Sequence, residues 1–175
     1  MVKILDSTLR EGEQTPGVKF SYQKKYIIAQ SLDKFGVNFI EIGNPSISAK
    51  DKKDLTRLVK NKFKADLICH ARSLREDIDN VLATGARWIG LFAGINDISL
   101  INKYKKSRPE ILARITDSIK YSKNKGLRTR FTLEDATRTN WQDIKTIIKT
   151  IEAAGADRFS IADTVGISTP LTTYK

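Results

Sequence analysis

The sequence has 175 residues, 40% of them hydrophobic and 29% charged, which is the composition of one globular domain and excludes a disordered or fibrous chain. No apolar run approaches the roughly 20 residues of a membrane span, and the apolar start is too short for a signal peptide, so a cytoplasmic location is expected. The single cysteine, Cys69, excludes an intrachain disulfide and fits a reducing compartment.

The formal net charge of +11 raises the question of nucleic-acid binding. The basic residues, however, are spread along the chain and fall mostly on predicted outer helices, and they do not form one stripe. A dispersed positive field also attracts anionic substrates such as coenzyme A and dicarboxylates. We therefore rank nucleic-acid binding below substrate attraction or an incidental charge.

The first predicted strand, residues 2–5, leads into a loop that is densely charged. An arginine beside carboxylates can bind an anionic oxygen and a divalent cation in one place, because the cation needs hard oxygen ligands and the guanidinium offers fixed donors. On charge pattern alone, a solvated turn after an edge strand is the alternative. The charged and amide side chains of this segment are Asp6, Arg10, Glu11, Glu13 and Gln14.

The rest of the chain alternates between helices and strands. Four helices are predicted to end at a glycine that is followed by a β-rich run, which is the joint of an αβ unit. The glycines are Gly36, Gly85, Gly126 and Gly155. The predicted helices are residues 22–35, 48–59, 73–82, a helix after Pro109, and 141–154, with Ser73 and Glu76 as a capping box and Thr139 or Asn140 as an N-cap. The later predicted strands are residues 38–42, 66–69, 88–92, 129–133 and 158–162.

This alternation predicts parallel strands joined by right-handed crossovers. In most units the polar groups come at or just after the carboxyl end of a strand, and in a barrel those ends converge on one mouth. An open sheet would gather them at one switch point, and the first glycine-containing loop lacks Gly-x-Gly-x-x-Gly. We therefore predict an α/β fold, an incomplete TIM (β/α)8 barrel of six βα units. Since a closed barrel needs eight strands, residues 1–175 are interpreted as the N-terminal part of one such domain, truncated before strands 7 and 8.

Several candidate site residues follow from these strands. His70, the only histidine, falls at the predicted mouth, where structural and ligand-binding roles are both open. Arg130, Thr132 and Glu134 share one face of the fifth strand through its period of two. If that face is the barrel interior, Arg130 needs an anion, either Glu134 or a substrate carboxylate. Glu41 is equally compatible with a pair to an arginine and with ligand contact.

The run Asp6-Ser7-Thr8-Leu9-Arg10-Glu11-Gly12-Glu13-Gln14 resembles the signature of the metal-dependent acyl-CoA condensing enzymes and lyases built on TIM barrels. Within that family, the Arg-Glu pair followed by Gln-Thr-Pro-Gly is most similar to the homocitrate synthases, since several relatives carry Arg-Asp. The resemblance implies that Glu11 binds a divalent metal ion (Mg, Mn or Zn). It also implies that Arg10 steadies the enolate or oxyanion of the reacting acyl groups.

The resemblance extends to the later strands. It implies Arg10 and Glu134 as catalytic residues, and substrate binding by Arg10, Gln14, His70, Arg130, Thr132 and Thr164. Thr164 lies in a short Asp-Thr-Val-Gly run that on its own would indicate a turn. Two features depart from the family: the His-x-His metal ligands of its seventh strand lie outside this sequence, and the fourth strand lacks the acidic residue that many homocitrate synthases place there.

The function implied is an acyltransferase that condenses acetyl-CoA with 2-oxoglutarate to homocitrate, followed by thioester hydrolysis, in lysine-type amino-acid biosynthesis. The full-length enzyme is expected to be a homodimer, and residues 1–175 alone to be inactive. The alternatives within the family are isopropylmalate, citramalate or citrate synthases. From a different class, a non-catalytic half-barrel that binds a partner through its open sheet edges remains possible on the sequence.

Overall fold

A computed structural model describes residues 2–174, and its centre is a sheet of six parallel strands. The strand order along the sheet is the order along the chain, without the reversal that defines a doubly wound fold. The predicted incomplete (β/α)8 barrel is therefore confirmed. The strands are β1 Leu5–Asp6, β2 Phe39–Gly43, β3 Asp66–Arg72, β4 Trp88–Ala93, β5 Arg128–Leu133 and β6 Arg158–Ile161.

Helices connect the strands: the longer ones cover the outer face of the sheet, and the short first one lies at the carboxyl end of β1. They are α1 Thr8–Glu11, α2 Tyr22–Phe35, α3 Ala49–Val59, α4 Arg75–Thr84, α5 Arg108–Asn124, α6 Trp141–Ala153 and α7 Pro170–Tyr174. Ile111, Ile115 and Ile119 of α5, spaced four apart, are completely buried against the strands. Burial of one such side chain contributes roughly 1.5–3 kcal/mol, so these rows hold the helices on the sheet. Within residues 2–174, no helix is both long enough and apolar enough to cross a membrane.

The inner face of the sheet is apolar at the amino ends of the strands. Phe39, Ile68 and Trp88 form a buried cluster there, with Leu5 packed against it. The Phe39 and Trp88 rings meet edge to face, with centroids 5.3 Å apart. This cluster fills the lower interior, so polar side chains that point inward gather at the carboxyl ends.

Three local predictions were wrong. The first strand is Leu5–Asp6 and not residues 2–5, because the Asn38 side chain accepts the Ile4 N–H, at 2.8 Å, where a strand partner would otherwise bind. The segment after it is helical, α1 followed by a 3₁₀ turn over Gly12–Gln14, and is not an open loop. Ser73 does not cap α4, which begins at Arg75; its hydroxyl instead donates to the Phe92 carbonyl, at 3.3 Å.

Other local predictions are confirmed. The four glycines predicted at helix ends all have positive φ, where a Cβ would be strained. Asn140, and not Thr139, caps α6 by accepting the Gln142 N–H at 2.8 Å. Strand β3 extends to Arg72, past the predicted end at residue 69, because residues 70–72 continue to pair with β4.

Candidate active site

A cavity of about 960 Å³ opens at the carboxyl ends of the strands, and we call it the main cavity. It lies where barrel enzymes place their chemistry. Arg130 is the one predicted site residue that is not among its lining residues, since its side chain is buried within the floor. The other seven all do: Arg10, Glu11, Gln14, His70, Thr132, Glu134 and Thr164.

Two arginines at the base of the main cavity share one buried carboxylate. Glu41 is 1% exposed; one of its oxygens accepts from Arg10 Nε at 2.7 Å, and the other accepts from Arg130 Nη2. Arg10 also contacts Glu11, with Nη1 2.6 Å from Oε1. Of the two roles left open for Glu41, the structure therefore shows the ion pair. It also shows that the predicted alternative of an internal Arg130–Glu134 pair is wrong.

The floor of the cavity contains polar atoms that lack a partner. Arg130 Nε and Thr132 Oγ1 are both buried, and neither has a hydrogen-bond partner within residues 2–174. Such atoms are uncommon in folded proteins, because a buried unpaired polar group costs about 1–3 kcal/mol. Burial, together with the positive charge of Arg10, lowers the pKa of Arg130 to about 10, so it stays charged at pH 7. An anionic ligand with hydrogen-bond acceptors would satisfy this pair of donors.

His70 is held neutral beside these arginines. Its ring stacks on Phe92 with centroids 4.5 Å apart and planes 3° from parallel. Burial, and secondly the nearby Arg10 charge, lowers the pKa of His70 to about 3. A neutral imidazole has one N–H donor and one acceptor nitrogen, so His70 can hydrogen-bond a ligand without adding charge.

Gly90 makes room for this arrangement. It pairs with His70 of β3 on one side and with Arg130 of β5 on the other. A Cβ at position 90 would lie 3.2 Å from His70 Cδ2 and 3.3 Å from Arg130 Nη2, closer than ordinary packing allows. The sequence carried this signal as a glycine inside an apolar strand, which often marks a close approach.

Glu134 at the cavity rim pairs with Lys103 and not with an arginine. Lys103 Nζ lies 2.5 Å from Glu134 Oε2. The lysine belongs to a π-helical turn, Ser99–Tyr104, in the connection between β4 and α5. Sequence reasoning placed Lys103 among dispersed surface charges, and no local pattern marked it as a site residue.

Thr164 is oriented by the turn that follows β5. Its Oγ1 accepts the backbone N–H of Asp135 at 2.8 Å, so the hydroxyl proton is free to donate toward the cavity. Asp135 has φ of 56°, and its buried carboxylate accepts from Asn96 at 2.6 Å and from Arg138 at 2.7 Å. Asp135, which had no role assigned from the sequence, thus holds the Thr164 loop.

The segment that carries Arg10, Glu11 and Gln14 is anchored by a buried ion pair. Lys25 of α2 is 2% exposed, and its Nζ lies 2.6 Å from Glu13 Oε2. The other oxygen of Glu13 accepts the Phe20 N–H, at 3.1 Å. Sequence reasoning treated Lys25 as an outer-helix charge. Its position on the apolar face of α2, four residues before the buried Ala29, was the signal that it missed.

Glu11 fits as one ligand of a divalent metal ion. It is half exposed at the cavity rim, and carboxylate oxygens are ligands that Mg²⁺ and Ca²⁺ prefer. Among residues 2–174, no group of three His, Cys, Asp or Glu side chains is arranged to hold a metal ion. The described residues therefore do not form a complete metal site, and the metal role of Glu11 stays a prediction.

Comparison with solved structures shows the same fold. The hydroxymethylglutaryl-CoA (HMG-CoA) lyase of Bacillus subtilis superposes with a TM-score of 0.84 at 19% identity, over 98% of this chain and 61% of the lyase. The HMG-CoA lyase of Brucella melitensis superposes with a TM-score of 0.80 at 19% identity, over 98% of this chain and 64% of that one. At these identities the likeness concerns the fold alone.

Sequence comparison identifies the family. The homocitrate synthase of Pyrococcus abyssi is 42% identical over 98% of this chain and 47% of its own length. The homocitrate synthase of Sulfolobus acidocaldarius is 43% identical over 97% of this chain and 37% of its own length. The chain thus spans about half or less of the length of these curated relatives. A family model described as HMGL-like matches residues 1–175. The chain therefore belongs to the HMGL-like family.

Proposed function

We propose that this chain forms the oxo-acid-binding part of a homocitrate synthase, which condenses acetyl-CoA with 2-oxoglutarate in the cytoplasm. The homocitrate synthases that are 42–43% identical over nearly the whole chain support this proposal. The observation that carries it is the pair of buried, unpartnered polar atoms, Arg130 Nε and Thr132 Oγ1, at the floor of the main cavity. A carboxylate group of the oxo acid is the ligand chemistry that satisfies both.

In this proposal the floor recognises the carboxylate farthest from the oxo group. Arg130 supplies the charge, Thr132 a hydroxyl donor, and neutral His70 a further hydrogen bond. Arg130 is already paired with Glu41, but a buried N–H without an acceptor is costly, and an oxo acid without a second carboxylate leaves Arg130 Nε unsatisfied. This cost discriminates 2-oxoglutarate from branched oxo acids such as 2-oxoisovalerate.

The rim orients the reacting end of the oxo acid. Arg10 is held from both sides by Glu41 and Glu11, so its remaining N–H groups are preorganised toward the cavity. A preorganised donor of this kind is worth about 3 kcal/mol when charge develops on oxygen. Thr164 directs its hydroxyl proton into the same space, and Gln14 lies at the cavity edge. Glu134 is proposed as a catalytic carboxylate.

A divalent metal ion would be held in part by Glu11, with further ligands supplied from elsewhere. When bound, it polarises the carbonyl of the oxo acid as a Lewis acid. That a His-x-His pair provides the other ligands, and that the full-length enzyme is a homodimer, remain predictions.

The test begins with ligand binding. We expect the 175-residue chain to bind 2-oxoglutarate by isothermal titration calorimetry, and Arg130→Met to weaken binding at least tenfold, since a charged hydrogen bond contributes roughly 1.5–3 kcal/mol. Arg128→Met is the matched control, because Arg128 lies on the same strand but stacks near Trp88 at the opposite end, 5.5 Å from its ring centroid. Equal affinity of the Arg130→Met variant and the unsubstituted chain would contradict the proposal.

Activity is measured on a full-length version, because residues 1–175 alone are expected to be inactive. The readout is release of coenzyme A thiol from acetyl-CoA, with 2-oxoglutarate, 2-oxoisovalerate and pyruvate offered separately. Activity with 2-oxoisovalerate alone would indicate isopropylmalate synthesis and would contradict the proposed synthesis of homocitrate. If the chain binds neither an oxo acid nor a divalent ion, a non-catalytic interaction domain becomes the better interpretation.

A further inference from the structure

Lys103 stands behind the rim of the main cavity, in the wall of a second cavity of about 300 Å³. Glu134 and Thr164 line both cavities, so the second cavity adjoins the main one through these two residues. Lys103 lines only the second cavity and therefore faces the main cavity from behind Glu134.

Lys103 is held toward Glu134 by its surroundings. Its Nζ lies 5.5 Å from the Phe92 ring centroid and 5.4 Å from the Tyr104 ring centroid, within the range of cation–π attraction. The π-helical turn that carries it ends at Lys105, which has a left-handed backbone with φ of 51°. π-Helical turns are rare and are found frequently at functional sites. The backbone conformation thus places the ammonium group against the Glu134 carboxylate.

The charge of Glu134 matters for an anionic substrate. The carboxylates of Glu11 and Glu41 are paired with Arg10 and Arg130, and those of Glu13 and Asp51 lie next to Lys25. Asp163 accepts hydrogen bonds from Thr137, Ile167 and Ser168. Without Lys103, Glu134 would face the main cavity as an unpaired negative group. A carboxylate ligand that enters the cavity would then be repelled by it.

We infer that Lys103 determines the charge preference of the site: by neutralising Glu134, it allows the main cavity to accept an oxo acid with a second carboxylate. This inference rests on the proposed function. Lys103 acts through Glu134 and is a specificity-determining residue, not a catalytic one. An uncompensated Glu134 repels both carboxylates of a dianionic oxo acid, whereas a monoanionic acid has only one carboxylate to repel. Removal of Lys103 therefore weakens binding of the dianion more than binding of the monoanion.

The experiment compares two acids of equal chain length on the 175-residue chain. The probes are 2-oxoglutarate, a dianion, and 2-oxopentanoate, which lacks the distal carboxylate. For Lys103→Met, we expect the calorimetric Kd to rise roughly tenfold for 2-oxoglutarate and roughly threefold for 2-oxopentanoate. Lys103→Arg should retain the unsubstituted ratio of the two affinities. The double variant Lys103→Met/Glu134→Gln should restore that ratio, because the repelling charge has been removed as well.

Lys106→Met is the matched control. Lys106 follows the same turn but pairs with Glu110, at 3.2 Å, and does not line either cavity. The affinities of the Lys106→Met variant for both acids should equal those of the unsubstituted chain. Lys103 is 44% exposed, so its replacement is expected to leave the thermal unfolding midpoint nearly unchanged, which circular dichroism checks.

The possible failures are distinguishable. If the unsubstituted chain binds 2-oxoglutarate and Lys103→Met binds it equally well, the inference is overturned while the proposed function stands. If Lys103→Met weakens the binding of both acids by the same factor, Lys103 does not distinguish a dianion from a monoanion, and the inference about charge preference is also overturned. If the unsubstituted chain binds neither acid, the proposed function and the inference fall together.

Discussion

Replacement of Glu41 by glutamine tests the ion network beneath the cavity. The substitution keeps the shape of the side chain and removes the one charge that Arg10 and Arg130 share. Arg10 keeps Glu11 as a partner, whereas Arg130, whose side chain is 9% exposed, loses its carboxylate. Breaking a buried ion pair costs about 3–5 kcal/mol, and the remaining Gln oxygen places the expected loss near the lower value, about 3 kcal/mol. For a chain of this size, that corresponds to a fall of about 6–12 °C in the thermal unfolding midpoint.

The assay is urea unfolding followed by far-UV circular dichroism, with a thermal scan as the second measurement. Glu152→Gln is the control, because Glu152 is exposed on α6. Its free energy of unfolding should change by less than about 0.5 kcal/mol. If Glu41→Gln unfolds at the same urea concentration as Glu152→Gln, the shared carboxylate does not stabilise the arginines and the account of the cavity floor is wrong.

Three further predictions concern residues of β3 and β4. The single imidazole signal in NMR should titrate with a pKa of about 3 in the folded chain. Below about pH 6.5, unfolded His70 binds a proton and folded His70 does not, so the free energy of unfolding should fall as the pH decreases. Between pH 7.5 and 5.5 it should fall by about 1 kcal/mol more in the unsubstituted chain than in His70→Gln. Equal pH slopes of the two proteins would exclude this linkage. Burial raises the pKa of the Cys69 thiol to about 12, so the thiol should resist a thiol reagent at pH 8 until the chain is unfolded in urea. Rapid labelling of the native chain would show that the thiol is accessible in the folded state. Gly90→Ala should destabilise the chain by about 1–3 kcal/mol in urea unfolding and weaken 2-oxoglutarate binding, because the new methyl group meets His70 and Arg130; unchanged affinity would mean that the two side chains move aside without consequence.

Much of the architecture could be predicted because it depends on local periodicity. The apolar spacing of α5 and the glycines at helix ends depend on neighbours within a few residues, and both were read correctly. Local patterns failed where a tertiary contact competed with them. Ser73 had the spacing of a capping box, yet its hydroxyl donates to Phe92 of the next strand.

The candidate site was predicted in part for the same reason. The period of two in β5 placed Arg130 and Thr132 on the inner face, and the cavity floor shows them there. The ion-pair partner of each charged side chain could not be predicted from the sequence. Arg130 could have paired with Glu134, four residues away, but pairs with Glu41, 89 residues away. Lys103 and Lys25 gave charge patterns that are also typical of ordinary surface helices.

The amino-acid sequence by itself determined the αβ alternation, the position of the polar residues at the strand ends, and the charged segment after the first strand. These features follow from side-chain periodicity and backbone preference, which act over a few residues. Only the tertiary structure decided that Glu41 joins two arginines, that Gly90 leaves space for His70, and that Lys103 neutralises Glu134. These contacts depend on the register between strands and on the path of the connecting turns, because groups far apart in the chain become neighbours only when the sheet curves.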